Sequence, residues 1–304
     1  MTTACETHSA SSEKKSRPLT VSLGVPVYEE AAHLQSFIES LLGQHRSVFQ
    51  EVFFIVSPGT DASLEIIKRS ASLFHTVRVI EQPCRQGKAA AINLFLQAAE
   101  GDICVLSSAD IVLQAESIRQ LVKVFHDPSV GMVGLHPVPL PAGGRFIRLL
   151  NRMLWELHHQ LCLIKPKLGE IVAFRNVVSR IEPDTAVDEI FLEAEIVGRG
   201  YRLCYQGDVL VYNYCPRRLG DFLVQRIRIF WGHLYEKDRL HYEASSMNIG
   251  YVLRAIRRFL TMKPQYVMGI VVLCFIEIIA RSIAGYRYYF EKKFPPCIWP
   301  KYQK

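Results

Sequence analysis

Along the first half of the chain, short runs of apolar and β-branched residues alternate with longer stretches of helical period. LTVSLGVPVYEE, EVFFIVS, TVRVIEQ and DICVLSS each read as a strand that ends in polar or turn residues. HLQSFIESLL, ASLEIIKRSASLF and CRQGKAAAINLFLQAAE place a helix after each of the first three. Strands separated in this way join as right-handed βαβ units, which predicts a largely parallel sheet. The loops that follow such strands share one edge of the sheet, and that edge is where a ligand binds.

The second half keeps the alternation less regularly. AESIRQLVKVFHD reads as a helix after Asp110, and VGMVGLHPVPL as a strand. PAGG then breaks the pattern. FIRLLNRMLWELHHQLCLI is a strongly amphipathic helix, LGEIVAFRN a strand, and DEIFLEAEIVGRG a helix stopped at glycine. YRLCYQGDVLVYNY is a strand pair or one bent strand, and LGDFLVQRIRIFWGHLYEKDRL is again helical.

The last sixty residues differ in kind. YVLRAIRRFL is a basic amphipathic helix, and YVMGIVVLCFIEIIA beyond Pro264 is an apolar run interrupted by Glu277. That run is shorter than the roughly 20 residues that cross a bilayer. It reads as a core helix of an appendage, as a monotopic or re-entrant membrane segment between basic flanks, or as a single span. The predicted organisation is a polar, disordered 1–18, an α/β domain over 19–240, and a helical, membrane-associating 241–304.

Composition narrows this picture. At 304 residues the chain can hold one large α/β domain with an appendage. Its formal charge of +7 suits anionic phosphates or an anionic membrane face. The basic residues are scattered among apolar helical positions, and no nucleic-acid module is present, so a nucleic-acid partner is not expected. The eight cysteines show no CxxC spacing and sit mostly in apolar contexts. They read as reduced, buried thiols rather than a disulfide frame or zinc site.

Chemistry concentrates at the strand ends. Pro26, Tyr28, Glu29 and Glu30 close the first strand; Thr60 and Asp61 follow the second; Arg85, Gly87 and Lys88 follow the third; Ser108, Ala109 and Asp110 follow the fourth. Acidic and basic groups along one edge suit an anionic nucleotide held by a divalent cation and a lysine. The glycine patterns of the P-loop and of dinucleotide-binding turns are absent. Asp110 by itself reads either as a helix cap or as half of a metal site. Lys88 at a helix start opposes the macrodipole, which favours an anion nearby. His158 and His159 are adjacent on a helix and face different ways, so they do not form a joint metal site, and His233, near the expected acceptor region, reads as structural or surface rather than catalytic.

In order and spacing, VPVYEE, SPGTDAS, QGKAAAIN, SSAD, VDEIFLEAEIVGRGYRLCYQGDVLVYNYCP and FLVQRIRIFWGH resemble the inverting family 2 glycosyltransferases, over roughly residues 20–235. The resemblance implies a GT-A fold, a mostly parallel sheet flanked by helices. It implies inverting transfer of a single sugar from a nucleotide-diphospho-sugar donor. Pro26, Tyr28, Glu29 and Asp61 match the turns that hold base and ribose, and Arg85 and Lys88 the basic loop beside the nucleotide. Ser57 and Pro58 stand where acidic residues are common. Asp110 matches the last aspartate of the Asp-x-Asp metal motif, whose first aspartate is Ser108 here, so Mg²⁺ or Mn²⁺ would lean on the substrate's phosphates. The base comes from the acidic pair, Glu189 or Asp188; the same pair at a helix start also satisfies the dipole.

QRIRIFWGH resembles, in part, the Gln-x-x-Arg-Trp element of membrane polysaccharide synthases, with Gln225 and Arg228 in place and Trp231 displaced by two residues. Arg228 is thereby expected at the diphosphate and Trp231 in the acceptor region, unless Trp231 is simply the inner aromatic of an amphipathic helix. The displacement argues against processive polymerisation. The expected acceptor is a hydroxyl on a lipid-linked or membrane-located molecule, at the cytoplasmic face of a membrane. The alternatives are a soluble transferase acting on a protein or small glycan, and a catalytically degenerate scaffold subunit.

Overall fold

The computed structural model describes residues 17–44, 48–71, 76–296 and 298. The segment expected to be disordered falls mostly outside these residues, as do Cys5 and Cys297. An eight-stranded mixed sheet runs through the molecule in the order β3-β2-β1-β4-β7-β6-β8-β5. Its first block is the predicted one: β1 (Val21–Val27), β2 (Glu51–Val56), β3 (Val77–Glu81) and β4 (Ile103–Ser107) pair in parallel. The helices α1 (Ala31–Leu42), α2 (Ser63–Ala71) and α3 (Lys88–Ala98) are their crossovers.

The period of two along these strands divides the interior into two cores. Val21, Leu23 and Val25, with Phe54 and Val105, face one side, under Leu34 and Phe37 of α1 and Ile67 of α2. Phe53, Ile55 and Leu106 face the other, under Ile92 and Phe95 of α3. Both faces are covered, which is why these strands are apolar nearly throughout.

Beyond β4 the sheet becomes mixed. β7 (Ile171–Arg175) runs antiparallel to β4 and to β6 (Val130–Pro139). The bent-strand reading of YRLCYQGDVLVYNY holds: β8 (Arg202–Asn213) is one strand beside β6, with a register shift that takes the pairing from Gln206 to Leu210. β5 (Ile111–Leu113), left unassigned by the sequence pattern, pairs antiparallel with β8. α4 is accordingly short, Ser117–Lys123. The remaining helices are α5 (Arg145–Cys162), α6 (Asp188–Gly198), α7 (Leu219–Leu240), α8 (Ile249–Met262) and α9 (Val267–Gly285).

α8 and α9 fold back onto the α/β domain. Ile147, Leu150 and Met153 of α5 meet Phe259 of α8 and Ile270 and Leu273 of α9 in one cluster, which also takes Phe222 of α7. Burying each such side chain contributes about 2 kcal/mol. The apolar run is also longer than the sequence reading had it. Short 3₁₀ and π turns extend α9 at its two ends, so the helical stretch Pro264–Phe290 has 27 residues and passes the length and composition test for a span. Glu277 does not end the run, because the helix continues through it and Arg226 of α7 pairs with its carboxylate.

Candidate active site

The C-terminal ends of the parallel strands open into a cavity of about 1300 Å³, whose far wall is built by α5, α7, α8 and α9. Strand direction explains who lines it. β1, β2 and β4 deliver the turns after their last residues, and antiparallel β7 delivers the loop before its first.

At the end of β1, Tyr28 lies under the Arg85 guanidinium, 3.7 Å from ring centroid to Cζ. This cation–π contact draws the β3–α3 loop over the end of β1. Glu29 adopts a left-handed backbone, φ +50°, and its carboxylate accepts hydrogen bonds from the Thr60 N–H (3.1 Å) and hydroxyl (2.9 Å). Asp61 accepts from the Ala31 N–H (2.9 Å) and the Ser63 N–H (3.0 Å), so one side chain ties the starts of α1 and α2. A carboxylate has further lone pairs, and Asp61 also lines the cavity beside Pro26.

Asp110 is buried at 6% exposure and faces the same cavity, with Ser108 and Ala109. The helix-cap alternative is removed. The residue is followed by β5, its carbonyl accepts the Tyr214 N–H at 3.0 Å, and α4 starts only at Ser117, without a side-chain cap. No group of three or more His, Cys, Asp or Glu converges for a metal among the described residues. The oxygen donors Asp110 and Ser108 suit a hard cation such as Mg²⁺ or Mn²⁺ if a substrate supplies the other ligands.

Across the cavity stands the acidic pair, at the first turn of α6. Lys88, heading α3, places Nζ 2.9 Å from Asp188 Oδ2 and 3.2 Å from Glu189 Oε1. Burial opposes the Lys88 ammonium, but the two carboxylates override it and hold its pKa well above the ordinary lysine value. Burial and the neighbouring Glu189 push Asp188 above the usual carboxylate range, against the pull of Lys88. For Glu189 burial again pushes up, but Lys88 and the backbone prevail and leave it below its ordinary value.

Several contacts position this pair. Gly87 holds φ +91°, a conformation that only glycine adopts at low cost, and turns the chain so that Lys88 begins α3. Gly232 of α7 lets the chain before Asp188 approach closely: a Cβ there would lie 2.9 Å from Val187 Cγ1. Thr185 donates to Glu236 of α7 (2.5 Å), and Arg239 bridges Glu236 (2.7 Å) and Asp184 (2.7 Å).

Gln225 and Arg228 of α7 reach the cavity, as their shared helix face requires. Trp231 does not line it. It packs at 7% exposure with Ile227 against Ala280 and Ala284 of α9, donates Nε1–H to the Lys293 carbonyl (3.1 Å), and lies under Arg287. The expectation of an acceptor role for Trp231 is therefore replaced by that of a packing residue, the inner aromatic of an amphipathic helix. His233 does line the cavity; burial keeps its imidazole neutral, well below its usual pKa.

The sequence reading did not single out Trp155, Lys167, Glu170, Tyr214 or Arg217, all of which line the cavity. Lys167 and Glu170 arrive through the reversed direction of β7, and Glu170 carries a left-handed φ of +61°. Tyr214 follows β8 and stacks on His33 with centroids 4.0 Å apart. Trp155 faces inward from α5, its Nε1–H directed at Cys215 Sγ (3.2 Å). Only the amphipathic period of α5 could have marked Trp155 in advance.

Residues 22–180 match the sequence model described as Glycosyl transferase family 2. A glucosyl-3-phosphoglycerate synthase of Mycobacterium tuberculosis is 28% identical over 181 residues, covering 53% of this chain and 56% of that protein. An uncharacterized glycosyltransferase of Haemophilus influenzae is 34% identical over 102 residues, 33% of this chain and 40% of that one. The chain thus spans about half the length, or less, of these curated relatives. Among solved structures, a mannosyltransferase from Pyrobaculum calidifontis in complex with GDP-Man and Mn²⁺ shares the fold, with a TM-score of 0.64 at 20% identity over 90% of this chain and 88% of that one.

Proposed function

The chain belongs to glycosyl transferase family 2, a family of glycosyltransferases, and from that premise we propose that it moves one sugar, with inversion, from a nucleotide-diphospho-sugar to an acceptor hydroxyl presented at a membrane surface. The observation that carries the reading is the convergence of Asp110, Lys88 and the Asp188–Glu189 pair on one cavity from separate elements of the sheet edge. In the reaction, the acceptor oxygen forms a bond to the sugar's anomeric carbon while the bond to the diphosphate breaks. The electron pair leaves with the diphosphate, and the acceptor proton passes to the acidic pair, with Asp188 the better placed by basicity.

Asp110, with Ser108 beside it, would hold Mg²⁺ or Mn²⁺ against the donor's phosphates. Such an ion offsets the charge of the leaving diphosphate. Tyr28, Glu29, Asp61 and Arg85 hold the nucleoside end, and Gln225 and Arg228 approach the diphosphate from α7. The GDP-Man and Mn²⁺ of the Pyrobaculum calidifontis mannosyltransferase fit this division of labour.

The membrane surface rests on a different observation. Met268, Val271, Phe275 and Ile278 form an exposed stripe along α9, each 57–72% accessible. Nearby α5 and α8 carry exposed Arg145, Arg148, Arg152, Arg254, Arg257 and Arg258. An apolar stripe flanked by arginines suits an interface with anionic lipid. The M. tuberculosis relative, named for a small phosphorylated product, represents the alternative of a small acceptor.

Calorimetric titration of UDP-, GDP- and dTDP-sugars, with and without Mn²⁺, tests the donor reading. One base class should bind, more weakly without metal, and Asp110→Ala should abolish the metal-dependent part. A folded protein that binds no donor would overturn the transferase reading and leave the scaffold subunit. Flotation with vesicles containing phosphatidylglycerol tests the surface. Binding should fall in Phe275→Glu; equal binding by that variant would point to the small acceptor.

A further inference from the structure

Where α8 and α9 border the cavity the lining turns apolar: Ile249, Val252, Leu253 and Ile256 of α8, with Leu273 and Ile278 of α9, and the space beside these residues forms a slot. The four α8 positions repeat as i, i+3, i+4 and i+7, one continuous helix face. Leu154 of α5 also lines the cavity. At its mouth the side chains are open to solvent: Ile249 is 68% exposed, Leu253 57% and Ile278 62%. Ile256 and Leu273 keep part of their surface in the α5–α8–α9 cluster, but Ile249, Leu253 and Ile278 forgo that burial unless an apolar ligand covers them.

The inner end of the slot is polar and closely built. Arg226 places Nε 2.5 Å and Nη2 3.4 Å from the Glu277 carboxylate, and Arg281 places Nε 3.5 Å from it while donating to the Ser246 carbonyl at 3.0 Å. Two guanidinium groups share one carboxylate, so this junction keeps a net positive charge. Arg226, Glu277 and Arg281 all border the cavity. Two further groups at the same place have polar atoms with no hydrogen-bond partner in the protein: His233 Nε2, on a side chain only 4% exposed, and Ser246 Oγ. Buried polar atoms are nearly always satisfied, so these two call for a partner that the protein itself does not supply.

We infer that the slot seats the aliphatic chain of an acidic amphiphile, whose head group lies at the Arg226–Glu277–Arg281 junction and whose chain runs out between α8 and α9. This rests on the transferase reading above and deepens it, because the amphiphile occupies the acceptor side of the same cavity. The slot explains why the apolar face of α8 turns inward at the cavity while its arginines face solvent. It gives the acceptor a chain site continuous with the exposed stripe of α9, so a lipid can pass from a bilayer into the cavity without its chain crossing water.

The probes are butyl, octyl and dodecyl phosphate, titrated by calorimetry into the full chain below their critical micelle concentrations, with nucleotide-sugar and Mn²⁺ binding measured on the same samples. Affinity should rise about two- to fourfold per methylene until the slot is filled. Leu253→Glu and Ile278→Glu alter exposed positions that the fold tolerates. Each should weaken dodecyl phosphate at least tenfold and leave both butyl phosphate and donor binding unchanged. Arg281→Gln should weaken all three phosphates by a similar factor, and dodecyl maltoside, with its neutral head, should bind more weakly than dodecyl phosphate.

Donor binding with no dependence on chain length overturns the slot alone. So does dodecyl phosphate binding that survives both glutamate variants, or binding only to vesicles. A chain-length series that holds while no donor binds keeps the slot and overturns the transferase reading.

Discussion

Lys88 Nζ sits 2.9 Å from Asp188 Oδ2, so the cation at the start of α3 is spent on the acidic pair at the start of α6. Both groups stand at helix N-termini, where the dipole favours the carboxylate and opposes the ammonium. Under the proposed function, an incoming diphosphate would compete with Asp188 and Glu189 for the same ammonium. Drawing Lys88 away would remove the cation that keeps the pair ionised and make Asp188 a stronger base.

This coupling has a pH signature. Asp188 lies above the usual carboxylate range because of burial and Glu189, and it must be ionised to accept a proton. Activity should therefore be full at high pH and fall as pH drops through the raised value, with the acid limb of kcat/KM above that of an ordinary aspartate. Lys88→Met removes the opposing cation, so the acid limb should move to still higher pH, and donor affinity should fall about tenfold or more. An unchanged acid limb in the variant would separate Lys88 from the base. Asp188→Asn should lower kcat by at least 10²-fold while leaving donor binding within a few-fold, the range general-base removal produces.

The chain before Asp188 is held by backbone proximity as well as by hydrogen bonds. A side chain at Gly232 would meet Val187. Gly232→Val should push the start of α6 away from Lys88, lowering kcat at least tenfold while the affinity for nucleoside diphosphate, held at the ends of β1 and β2, stays the same. Pre-steady-state measurement of transfer, alongside calorimetry of the diphosphate, separates the two effects.

What the sequence disclosed follows from how locally each feature is encoded. The parallel block β1–β4 was legible because apolar runs and amphipathic helices alternate there with short turns, and the turns after these strands necessarily share an edge. β5 was not, because Ile111–Leu113 is too short to show a period and becomes a strand only through its pairing with β8. The 167–170 loop was hidden for a similar reason: nothing local says that β7 is antiparallel, and only that reversal brings Lys167 and Glu170 to the cavity. Trp231 was drawn to the acceptor by a motif whose tryptophan it only neighbours. On a helix two residues amount to about 200°, enough to turn the ring from the cavity to α9.

That rotation sets the expected behaviour of Trp231. Trp231→Ala removes a ring buried among Ile227, Ala280 and Ala284, and should cost about 3 kcal/mol of stability, read from the denaturant midpoint. Below the new transition, donor affinity should match the parent. A variant with normal stability and a raised acceptor KM would return Trp231 to the acceptor side.

Glu193, one turn after Glu189 on α6, should make stability itself depend on pH. Its side chain is fully buried, where it accepts the Leu168 N–H at 2.6 Å and the Tyr242 hydroxyl at 3.0 Å. Burial pushes its pKa up to about 7, against the downward pull of Lys167, the Leu168 N–H and Tyr242. An unfolded chain titrates the same group near the ordinary glutamate value, so between that value and about 7 the folded state binds the extra proton. The sign follows: this group's contribution is most favourable below the unfolded value and is lost as pH rises through about 7, by at most roughly 3 kcal/mol. Glu193→Gln keeps an oxygen for the Leu168 N–H and cannot ionise. The difference in urea midpoint between pH 5 and pH 8 should shrink in the variant, and at pH 8 the variant should equal or exceed the parent. Leu168 and its neighbours Lys167 and Gly169 line the cavity, so the hydrogen bond to Glu193 ties this loop to α6. A parent and variant with parallel pH profiles of stability would show that Glu193 is already ionised at neutral pH and that its hydrogen bonds offset its burial.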